Sequence, residues 1–91
     1  MVAGCALDNH PVVRIVNHAG VAVDVSIVEV GSTNEKVIET NMKPGMEVTY
    51  DRLPSDTCSP VQLVAKNQQG IEIARNPGPI CRPSEWVIEV P

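Results

Sequence analysis

The 91-residue chain is almost without aromatic side chains: one Trp, one Tyr and no Phe, 2% in all. Its core must therefore be built from Val, Ile, Leu and Ala, and it has few of the rings on which sugars or bases stack. It also lacks a basic cluster. Arg14, Lys36, Lys43, Arg52, Lys66, Arg75 and Arg82 are scattered, and the net charge is -4. A nucleic-acid surface crowds Lys and Arg on one face, so that class of partner is set aside. No run approaches the ~20 apolar residues of a membrane-spanning helix.

Metal and catalytic spacings are missing as well. There is no CxxC or HxxxH for zinc and no DxDxDG loop for calcium. A copper site of the His, Cys and Met kind needs those ligands close together in the last loop. Here the chain after Cys81 reads RPSEWVIEVP, with neither His nor Met. The two histidines are His10, in the lead-in, and His18, at an expected turn. No serine sits in a motif that would activate it as a nucleophile. The eleven acids stand one by one along the chain, as on the solvated faces of strands. The reading is of a non-enzymatic protein with no catalytic residues, no metal and no cofactor.

What is present is alternation with period two, rich in β-branched residues and punctuated by Gly, Pro and Asn. VVRIVN (12–17) is a first strand and HAG (18–20) a turn. In VAVDVSIVEV (21–30), Val21, Val23, Val25 and Ile27 share one face. The apolar parity then switches to Val28 and Val30, which predicts a bulge or a strand crossing between sheets. KVIETN (36–41) and MEVTY (46–50) are short strands joined through the KPGM turn at 43–46. VQLVAKN (61–67) points Val61, Leu63 and Ala65 inward, and NQQG (67–70) closes a hairpin with GIEIARN (70–76), in which Ile71 and Ile73 alternate on one face. EWVIEV (85–90) ends the chain with Trp86, Ile88 and Val90 on one face, and Trp86 is expected as a core anchor with Tyr50 at the core's edge. About seven short strands predict an all-β, single antiparallel β-sandwich of immunoglobulin-like or Greek-key type over 11–91, with a small β-barrel as the alternative. Residues 1–10 read as an irregular lead-in or tether.

Cys58 and Cys81 flank the hairpin in two Pro-containing loops. A hairpin brings the outer ends of its strands together, so the two sulfurs come within disulfide range. Closing that loop stabilises a small domain by about 3 kcal/mol in the chain-entropy account. The alternative is a pair of unlinked thiols in a cytosolic chain. With a Cys58–Cys81 bond, Cys5 is the odd one left over. Val2-Ala3-Gly4-Cys5 resembles the lipobox of bacterial lipoproteins, in which the cysteine sulfur carries diacylglycerol. That resemblance expects a charged and apolar signal segment upstream of Met1. A plain N-terminal thiol and an intermolecular disulfide are the other two readings of Cys5. If Met1 is the true start and the thiols are free, the chain is cytosolic.

The stretch from Cys58 to Ile88, CSPVQLVAKNQQGIEIARNPGPICRPSEWVI, resembles small exported, lipoprotein-type β-sandwich proteins of actinobacteria and their relatives. MKPGMEVTY is similar to the proline-glycine turn and strand of immunoglobulin-like sandwiches. The resemblance covers roughly the second half of the chain. It implies a Cys58–Cys81 staple and a place in the cell envelope, and it implies no activity. The expectation is an extracytoplasmic accessory or structural subunit, lipid-anchored through Cys5, that docks a protein partner of the envelope through exposed edge strands. The alternative is a small-ligand or carbohydrate-binding module that uses the sandwich loops.

Overall fold

The computed structural model describes residues 12–53 and 57–90. Every regular element among them is a strand: β1 (Val13–Asn17), β2 (Val23–Glu29), β3 (Glu35–Met42), β4 (Glu47–Tyr50), β5 (Cys58–Ser59), β6 (Val61–Lys66), β7 (Glu72–Asn76), β8 (Ile80–Cys81) and β9 (Ser84–Ile88). A four-stranded sheet runs β3-β2-β6-β7, a three-stranded sheet β4-β1-β9, and β5 pairs with β8. The two larger sheets are open and pack face to face, so the protein is an all-β sandwich and not a closed barrel.

The core is aliphatic, as the composition demands. Val13, Ile15 and Ile88 from the three-stranded sheet meet Val23, Val25, Met42, Leu63 and Ala65 from the four-stranded sheet. Tyr50 is half-buried at its margin, as expected, and Trp86, expected as a core anchor, is likewise only partly buried against the core. Val21, Ile71 and Val90, assigned by parity to inner faces, are instead exposed at 48%, 60% and 44%. All three fall just outside strands, where alternation no longer decides which way a side chain points.

Three other expectations are corrected. First, the sheets are not wholly antiparallel: β1 runs parallel to β9, with Ile15 opposite Trp86. Second, the ladder of β2 with β6 is unbroken from Asp24 to Glu29, so no bulge follows Ile27. The irregularity lies across the other edge, in β3. Two shifts, between Val23 and Val25 and between Val25 and Ser26, leave extra residues on β3. Asn41, at one of them, has φ 51°, and its N–H donates to Asp24 Oδ1 at 2.8 Å. Third, the connections at 52–60 and 77–83 contain a short ladder, β5·β8. This ladder keeps the register of the β6–β7 hairpin: Leu63 is four positions beyond Ser59, and Ile80 four beyond Asn76. Pro60, Pro77 and Pro79 stand in the gap, where they lack an N–H to continue the pairing.

The outer face of the four-stranded sheet is roofed by side chains. Ser26 and Val64 face away from the core, yet each is only 1% exposed. Lys66 reaches across to Glu35, with Nζ 2.9 Å from one carboxylate oxygen. Arg75 pairs with Glu72 at 2.8 Å and donates to the Gln62 side-chain oxygen. Long side chains of this kind lay their aliphatic stems along a surface while their heads stay in water.

Candidate functional site

The strand directions give the sandwich two ends. At one end lie the start of β1, the 30–34 loop, the 51–60 connection and the 77–83 loop. Cys58 stands opposite Cys81 here, with a Cα–Cα distance of 3.8 Å, and the two form a disulfide. The expected bond is therefore present. Around it, the Arg82 N–H donates to the Thr57 carbonyl and the Arg82 Nη2 to the Leu53 carbonyl, both at 2.8 Å. Gly78, at φ 71°, passes so close to β6 that a Cβ there would lie 2.1 Å from the Val61 carbonyl oxygen. The sulfurs are thus consumed in a structural link at the end where the chain enters the fold. Cys5, the expected lipid-bearing residue, and His10 lie outside the described residues.

At the opposite end lie 18–22, the 43–46 turn, the 67–71 turn and residues 89–90. Asn17 organises it. Its side chain is fully buried: Oδ1 accepts the Ala19 N–H, and Nδ2 donates to the carbonyls of Val21 and Met42, all at 2.8 Å. Its backbone N–H donates to the Met46 carbonyl, and its carbonyl accepts the Gly45 N–H. Asn67 does the same for the hairpin turn, with Oδ1 accepting the N–H groups of Gln69 and Ile71. Among the described residues, four of the six exposed large apolar side chains lie at this end: Val21, Met46, Ile71 and Val90. His18 is exposed there, as expected of a turn residue. The sequence carried one signal of Asn17, a polar residue at the inward parity of Val13 and Ile15.

A third feature lies along one flank, between the edge strands β3 and β4. A groove of about 340 Å³ is lined by Ile27, Glu29, Lys36, Tyr50, Arg52 and Val61, among others. A second depression of about 220 Å³ shares Lys36, Tyr50 and Arg52 with it and extends to Val37 and Ile38. Lys36 pairs in register with Ile27, so it stands at an inward position of an edge strand and emerges into the opening. The electrostatics set this place apart. Arg14 is held by Glu47 at 2.7 Å and Glu85 at 3.5 Å, Lys66 by Glu35, and Arg75 by Glu72. Lys36 and Arg52 have no counter-ion among the described residues; neither do Lys43, in the 43–46 turn, and Arg82, whose backbone N–H and Nη2 go to carbonyls, but only Lys36 and Arg52 share one opening. Glu35, on the groove's wall, is already committed: the hydrogen bond from Lys66, and then that from Ser26, hold its carboxyl below the ordinary value. Nothing in the sequence joins Lys36 to Arg52, because Lys36 lies in β3 and Arg52 just past β4, a strand of the other sheet.

Among the described residues, no group of three His, Cys, Asp or Glu side chains is placed to hold a metal ion. No helix there is long and apolar enough to cross a membrane. No family model matches the chain, and no curated protein or solved structure shows significant similarity to it.

Proposed function

We propose that this protein is a non-catalytic, extracytoplasmic docking module, an accessory or structural subunit of a cell-envelope assembly. The observation that carries the reading is that exposed Val21, Met46, Ile71 and Val90 all stand at one end of the sandwich. Scattered surface hydrophobics need no explanation, whereas a gathered set marks a surface that a partner covers. The Cys58–Cys81 bond supports an oxidising compartment, because such bonds are rare where thiols are kept reduced. The chain enters the sandwich at the stapled end and leaves β9 at the apolar end. An anchor on Cys5 would therefore tether the stapled end to the membrane and present the apolar end outward, toward a partner. Edge β3 is a poor docking surface over its second half, because its bulges and Glu39 break the regular ladder.

The test is the intact mass of the protein from its native host, before and after reduction and alkylation. A diacyl-modified Cys5 as first residue, with no thiol free before reduction, is the expected result. Three thiols that alkylate without reduction would overturn export. Docking is tested by carrying V21D and I71D together into the host. The expected outcome is loss of the protein from its native complex with no change in fold. A wild-type protein that is monomeric and partner-free in native membranes would overturn it.

The flank groove favours a second reading, a small-ligand or carbohydrate-binding module. Its volume suits a small ligand. A thermal-shift screen separates the two readings, since a ligand that binds only the folded state raises Tm.

A further inference from the structure

We infer that the groove between β3 and β4 binds an extended peptide segment that carries a carboxylate beside an apolar side chain, with Lys36 and Arg52 receiving the carboxylate. Three observations converge on this occupant. The first is charge. Arg14, Lys66 and Arg75 are neutralised by neighbouring acids, while Lys36 and Arg52, which line both depressions, are left without one among the described residues. On a chain of net charge -4, unspent positive charge concentrated in a concave place is complementary to an anionic group. The second is the floor. Ile27, Val61 and the Tyr50 ring line the groove beside the cations, so the ligand must present apolar surface next to its charge. The third is shape. The two depressions share their central residues and follow β3 from Asn34 to Ile38, a track of roughly 15 Å at the rise of a strand. That length suits about five residues of extended chain and exceeds a simple carboxylic acid. β3 is also an edge strand, unpaired on its groove side, and regular over Glu35–Val37. Glu29 also lines the groove; with Glu35 spent on Lys66, the lining keeps an excess of positive charge.

This inference shares with the docking reading only the assumption that the partner is a polypeptide, and it uses a different surface. The probes are the hexapeptide acetyl-Val-Glu-Val-Glu-Val-Glu-amide, its Gln and Lys counterparts, and free glutarate. Each is titrated into the disulfide-bonded protein while backbone amide resonances are followed. The expected result is saturable shifts confined to 34–38 and 50–52 with the Glu peptide, weaker binding of the Gln peptide, and none of the Lys peptide. K36E/R52E should bind the Glu peptide about tenfold more weakly or worse, and added salt should weaken the wild type. Both positions are on the surface, and an unchanged amide spectrum outside the groove establishes that the variant is folded. V21D/I71D should bind the peptide as the wild type does, so loss of envelope docking and loss of peptide binding are read separately. No shifts at millimolar peptide, shifts indifferent to the peptide's charge, or undiminished binding by K36E/R52E would overturn the proposal. Binding of glutarate as tight as the peptide's would overturn the peptide in favour of a small acid.

Discussion

The two ends of the sandwich are closed by different chemistry. The stapled end is held by one covalent bond, by prolines and by a glycine passing against β6. The opposite end has no cross-link among the described residues and is held by hydrogen bonds that converge on Asn17. A disulfide acts largely by restricting the unfolded chain, so it tolerates exposed, polar surroundings. A buried amide acts only in the folded state, and it works because every donor and acceptor is satisfied. The first solution leaves a polar end beside a charged groove. The second engages the backbone groups of the loops and makes no demand on their side chains, so exposed Val21, Met46, Ile71 and Val90 can stand there.

The comparison predicts a graded series of failures. Replacing both cysteines by serine removes a cross-link spanning 23 residues. It should lower the unfolding free energy by about 3 kcal/mol, read as a shift of denaturant midpoint. Next is Asn17→Ala, which orphans the Ala19 N–H and two carbonyls and should cost about 2.5 kcal/mol by the same measurement. If the ends are independent, the cysteine and Asn17 variants combined should add to within about 0.5 kcal/mol. Gly78→Ala places a methyl group against the Val61 carbonyl at positive φ, so the backbone must shift. A loss of about 2 kcal/mol is expected, with faster amide exchange at β5 and β8 and unchanged exchange at Asn17.

The smallest effect is electrostatic. Glu35 and Glu72 have folded-state pKa values below their ordinary ones, because Lys66 and Arg75 donate to them. Their stabilisation is present above the unfolded carboxylate pKa and is lost as pH falls through the lowered folded values. Both pairs are exposed, so each should contribute only a few tenths of a kcal/mol. Acid titration of Tm should thus show a shallow decline below about pH 4.5, removed by pairing Glu35→Gln with Glu72→Gln.

How far the fold could be read in advance varied from residue to residue. Val13 with Ile15, Val23 with Val25 and Leu63 with Ala65 alternate cleanly, and each pair lies in the core. The cysteine pairing was legible because a hairpin dictates which flanking residues meet. Ser26 and Val64 were not legible as buried, because the paired residues on that face, Glu35, Lys66 and Arg75, come from three strands that only the sheet sets side by side. The exposure of Val21, Ile71 and Val90 was missed for a related reason: periodicity has no meaning past the last paired residue. Of the groove, neither Lys36 nor Arg52 carried any mark.

By itself the sequence determined the class of structure. Its period-two pattern leaves strands as the only way to bury one apolar face, its near lack of aromatics makes the core aliphatic, and its hairpin joins Cys58 to Cys81. Only the tertiary structure decided the parallel pairing of β1 with β9, the gathering of four apolar residues at one end, and the meeting of Lys36 with Arg52. Local pattern reports on neighbours along one strand. The contacts between sheets depend on how the connections cross, and that is settled by packing the whole core at once.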